Sequence, residues 1–133
     1  MKHRYIQLGA ILAMFAVILG AFGAHGLQGK LSVKQLAVYD TAVTYQMYHA
    51  IALIIVGMLY KYLTTKYLKF AAIFFLLGII CFSGSLYLLS CADWLQISGS
   101  VKKIIGPITP LGGLFFILGW LSVVLSGRVG DGG

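Results

Sequence analysis

A chain of 133 residues that is 60% hydrophobic and only 10% charged cannot coat a water-soluble surface, since soluble domains carry about 25% charged residues. Its net charge of +7 would suit nucleic acid in a soluble protein. Here the Lys and Arg residues lie between long apolar stretches, so membrane lipids with anionic headgroups are the expected partner and nucleic acid is not.

No Asp, Glu, Lys or Arg occurs between Arg4 and Lys30, Asp40 and Lys61, Lys69 and Asp93, or Lys103 and Arg128. Each gap holds roughly 20 apolar-rich residues, enough for an α-helix to cross about 30 Å of hydrocarbon. Helices satisfy their own backbone groups there, where no water is available. The expected fold is an all-α membrane protein, with four transmembrane helices in an up-down bundle. The spans cover about 5–24, 42–62, 67–89 and 107–126 within a single domain over 1–127. Residues 128–133 form a Gly-rich tail expected to be disordered.

Span one follows Lys2 and Arg4, as a signal peptide would, but its apolar run exceeds the usual 7–15 residues of such a segment. Ala24-His25-Gly26 is also a poor cleavage site, so the helix is expected to be retained. Gly9, Ala13, Ala16, Gly20 and Ala24 form a smooth stripe that permits close helix approach. Such stripes leave open an association of copies into a homo-oligomer.

Ser32-Val33-Lys34-Gln35 has the spacing of a capping box. The helix it opens can run unbroken through span two, about 45 Å at 1.5 Å per residue, so its first turns form an amphipathic, interfacial extension. Val33, Leu36, Val43 and Met47 share a face there, with Asp40 among them. An ionised carboxylate on that face implies a partner, and His25 or the preceding loop is the one within reach.

Span three carries Ala71, Gly78, Cys81 and Ser85 as a second small-residue stripe. Cys81 and Cys91 lie about 15 Å apart along one helix, too far for a disulfide. Span four opens at Gly106-Pro107-Ile108-Thr109-Pro110, where prolines fit a first helical turn. Trp94, Trp120 and most tyrosines are expected near span ends, at the membrane interface.

Basic residues number six on one side (Lys2, Arg4, Lys61, Lys66, Lys69, Arg128) and four on the other (Lys30, Lys34, Lys102, Lys103). The excess is expected to put both termini in the cytoplasm. Up-down topology then gathers His25, Asp40, Tyr45, Gln46, His49, Ser83, Ser85, Tyr87 and Thr109 at one membrane face. Gln46 and His49 share a helical face, whereas Asp40, nine residues before His49, points away from it. Intramembrane ionisable groups mark functional sites, so these residues are candidates for binding a small molecule, lipid headgroup or ion. The alternative is that they are interhelical hydrogen bonds of about 0.6 kcal/mol each that hold the bundle together.

Zinc needs three or four ligands, and only His25, His49 and Asp40 are near one another in this scheme. Haem needs axial groups across a helix gap. Neither is expected, and no cofactor is. No P-loop, nucleophile elbow or zincin motif is present, so no catalytic residues are assigned.

Four motifs in order resemble one family. They are Gly20-Ala21-Phe22-Gly23-Ala24-His25-Gly26-Leu27, Tyr45-Gln46-Met47-Tyr48-His49-Ala50, Phe82-Ser83-Gly84-Ser85-Leu86-Tyr87, and Gly106-Pro107-Ile108-Thr109-Pro110-Leu111-Gly112-Gly113. The family is domain of unknown function 423, small bacterial inner-membrane proteins related to the eukaryotic transmembrane protein 256 group. The resemblance implies a four-helix membrane protein and supplies no substrate or cofactor. The expected function is that of a non-enzymatic membrane protein binding a ligand at its polar end, with a link to transport open. A structural or assembly role is the alternative.

Overall fold

The computed structural model describes residues 2–130. Four helices long and apolar enough to cross a membrane account for most of them, as the charge-free stretches require. They are built from α1 (Lys2–His25), α2 (Val33–Leu59), α3 (Lys66–Gly78), α4 (Gly84–Ser90), α5 (Gly99–Ile105) and α6 (Ile108–Gly130). A π-helical turn, Ile79–Ser83, joins α3 to α4 within the third span. The short α5, capped by Ser98, lies before the fourth span and had no counterpart in the sequence reading.

The capping box forms as the spacing requires. Ser32 Oγ accepts from the Gln35 amide, and the Gln35 side chain accepts from the Ser32 amide. Gln35 also donates to Asp93 Oδ2 at 2.9 Å, and Asp93 pairs with Lys102 at 2.5 Å. This exposed chain of contacts ties the start of α2 to the α4–α5 connection. It lowers the Asp93 carboxyl below its usual range, chiefly through the Lys102 hydrogen bond and charge, with Gln35 adding to it.

Helix α2 ends at Leu59 rather than near residue 62. Helix α6 continues to Gly130, so residues 128–130, expected in the tail, are helical. The remaining tail residues, 131–133, lie outside the described part.

The helices alternate in direction, which their contacts display. Gly9 of α1 meets Ala50 and Ile54 of α2, while Gly23 meets Tyr39. A Cβ at Gly9 would sit 2.7 Å from the Ala50 carbonyl oxygen, and one at Gly20 would sit 3.2 Å from Val43, so α2 packs against these two positions of the α1 stripe. Helices α3 and α6 pack through a reciprocal exchange, with Phe75 over Gly119 and Phe116 over Gly78. Further along, Gly112 lies against the Phe82 backbone. Helix α2 packs on α1, α3 and α4, and α6 packs on α3 and the π turn. The main core gathers Leu53, Val56, Leu68, Phe75 and Phe116, and a smaller one holds Leu27, Leu31, Tyr39 and Cys91.

Candidate functional site

Gln46 is the midpoint of Val33–Leu59 and is 4% exposed. Its Nε2 donates to the Leu12 carbonyl at 2.8 Å, and the Tyr87 hydroxyl donates to its Oε1 at 2.7 Å. A carbonyl only accepts, so the amide orientation is fixed by chemistry. Nearby, Ser83 donates to the Ala42 carbonyl at 2.8 Å, and the Ser85 and Thr109 hydroxyls share a hydrogen bond of 2.6 Å. These contacts clasp α2 to α1, α2 to the third span, and the third span to α6. Ser83, at the end of the π turn, and Ser85, two residues on, meet different neighbours, as positions about 200° apart on a helix do.

His49 makes a second arrangement. Its Nδ1 lies 2.7 Å from the Tyr45 carbonyl, and Trp120 donates its indole N–H to Nε2 at 3.1 Å. The carbonyl can only accept and the indole can only donate, which leaves one tautomer: neutral imidazole with its proton on Nδ1. The ring stacks on Phe116 with centroids 3.5 Å apart and planes 8° from parallel. With both nitrogens engaged, His49 has no lone pair free for a metal. Among the described residues no three His, Cys, Asp or Glu side chains converge.

Beside this stack, α2 and α6 face each other across a cleft of about 680 Å³. Tyr45, Tyr48 and His49 form one wall. Pro110, Gly113, Leu114, Phe116, Ile117 and Trp120 form the other, and Phe82 closes the back. Tyr45 stacks obliquely on Phe82 at 4.7 Å, and Phe75 meets Trp120 edge-on at 5.0 Å. Such volume and lining suit a small apolar molecule. The Tyr45 and Tyr48 hydroxyls are not engaged by any described residue.

The structure therefore divides the nine expected site residues. Gln46, Ser83, Ser85, Tyr87 and Thr109 are joined to one another or to backbone carbonyls. Tyr45 and His49 line the cleft. His25 and Asp40 belong to neither group: both side chains are exposed, and they do not pair. The carboxylate expected on an apolar face lies on the outer side of α2, opposite the buried Tyr39, Ala42 and Gln46.

Gln46, His49 and Trp120 stand near the middle of their helices, Val33–Leu59 and Ile108–Gly130. Trp120 and Phe116 went unrecognised as partners of His49. Their position well inside the charge-free stretch between Lys103 and Arg128 is the signal that could have found them. The Leu12 carbonyl leaves no trace in sequence.

Comparison with known proteins agrees with the four motifs. The family described as protein of unknown function (DUF423) matches residues 19–113. A UPF0382 membrane protein of Staphylococcus haemolyticus is 48% identical over 122 residues, covering 92% of this chain and 93% of the relative. The UPF0382 membrane protein YwdK of Bacillus subtilis is 48% identical over 129 residues, covering 92% and 94%. A relative from Staphylococcus epidermidis is 44% identical over 122 residues, covering 92% and 93%. No solved structure matches.

Proposed function

The chain belongs to the DUF423 family of membrane proteins of unknown function, and we propose that it binds a hydrophobic, ring-bearing molecule taken sideways from the lipid phase. The observation that supports this is the aromatic cleft between α2 and α6. Its volume of about 680 Å³ fits a small ligand, its rings offer stacking surfaces, and the two tyrosine hydroxyls supply a polar end. A bundle closed through its centre by Phe75, Phe116 and glycine contacts suits a lateral binding site better than a pore. The six-to-four excess of basic residues supports an orientation with both termini in the cytoplasm, and the bacterial membrane-protein relatives support a plasma-membrane location.

Gly113→Leu tests the reading. A Cβ at Gly113 has only ordinary contact with Phe82, 3.8 Å away, so the larger side chain enters the cleft without disturbing the helix pair. Native mass spectrometry of the protein released from its own membrane should show a retained non-phospholipid mass that the variant lacks. Identical spectra for both proteins would refute the cleft as a binding site.

A second reading has its own support. The bonds from Gln46, Ser83, Ser85 and Tyr87 are complete within the chain. This part of the expected cluster acts as a fastening of the bundle, and ligand binding falls to the cleft beside it.

A further inference from the structure

At the bundle end where α1 starts and α2 finishes, the two helices line a groove of about 450 Å³. Its floor is apolar, made by Ile6, Gly57 and Met58, and its rim is polar, made by His3, Lys61 and Tyr62. Met58 is 51% exposed and Tyr62 75%, so the groove opens outward. The Lys61 ammonium lies 5.6 Å from the centre of the Tyr62 ring, held at the rim.

From floor to rim, the groove repeats the order of groups in a phospholipid: hydrocarbon first, then a charged head. Charge selects the head. Among the described residues, this end of the bundle carries Arg4, Lys61, Lys66, Lys69 and Arg128 and no carboxylate, whereas Asp40 and Asp93 lie at the opposite end. We infer that this groove is a binding site for one anionic phospholipid, its phosphate at Lys61 and one acyl chain against Ile6 and Met58. A zwitterionic lipid brings its own cation to this cationic rim and gains less. The site is separate from the cleft between α2 and α6, and neither proposal depends on the other.

The test uses the full chain in bilayer discs of phosphatidylglycerol and phosphatidylcholine in equal parts, with native mass spectrometry counting the lipids retained. Phosphatidylglycerol should be held in preference. Lys61→Gln should lower that preference about fivefold, the effect of one basic residue near an anionic surface, and Lys61→Arg should preserve it. Lys66→Gln removes the same charge from the same end but outside the groove, and should change the ratio by less than about twofold. Lys61 is exposed, so these variants test binding and not folding. Equal retention of the two lipids would overturn the assignment, as would equal losses in the two glutamine variants. Displacement of the lipid by free glycerol phosphate would also overturn it, by showing that the site reads a soluble anion.

Discussion

Trp120 donates its indole N–H to His49 Nε2 across 3.1 Å, joining the middles of α6 and α2. Away from water an indole needs an acceptor, and His49, with its Nδ1 proton on the Tyr45 carbonyl, supplies one at Nε2. Trp120→Phe and His49→Phe should each destabilise the protein in detergent, with a coupling energy of about 0.6 kcal/mol in the double variant, typical of bonds between membrane helices. Unfolding curves for the two single variants and the double variant provide the measurement. Strict additivity would mean that the two side chains do not interact.

Gln46 serves two partners, so its loss should cost more than theirs. Gln46→Leu leaves the Leu12 carbonyl bond and the Tyr87 hydroxyl unmet, for about 1–2 kcal/mol in all. Tyr87→Phe removes one bond and should cost less than half as much. Both are read from denaturant midpoints in detergent.

Helix contact through glycine gives a steric prediction. Gly112→Leu would drive a side chain into the Phe82 backbone, an overpacking of at least about 1–3 kcal/mol because backbone yields poorly. Gly127 has nothing within 4 Å of the place a Cβ would occupy, so Gly127→Leu should leave the unfolding midpoint unchanged.

The exposed tether through Asp93 carries a pH dependence. Its carboxyl is lowered in the folded protein, first by Lys102 and then by Gln35. A folded value below the unfolded one means that the tether contributes fully above the usual carboxylate range and fades as pH falls through the lowered value. Hydrogen exchange at the amides of Val33–Gln35 should therefore accelerate in acid. In Asp93→Asn that acid-dependent increase should be absent, beyond the intrinsic change in exchange chemistry.

Much of this architecture is legible in sequence, because hydrocarbon imposes few solutions. Charge-free stretches locate the helices, Ser32 and Gln35 mark the start of α2, and alternation of direction brings Gln46 near Tyr87 and Ser85 near Thr109. What failed has definite causes. Trp120 and its partner His49 lie far apart in sequence, so no local pattern announces their bond. Leu12 contributes only a carbonyl. The π turn at Ile79–Ser83 puts an extra residue into the third span, which no side-chain pattern announces. His25 and Asp40 were grouped by which end of a helix they occupy, and an end has an outside as well as an inside.

If the cleft beside His49 and Trp120 opens sideways into hydrocarbon, as proposed, Trp120 sits among acyl chains, and lipid quenching reads its depth directly. Trp94→Phe leaves Trp120 as the only tryptophan, 46% exposed on the cleft wall. In bilayers of phospholipids brominated at successive acyl positions, its fluorescence should be quenched most strongly by bromines deep in the chain. Quenching confined to bromines near the headgroup, or absent at every depth, would contradict the account.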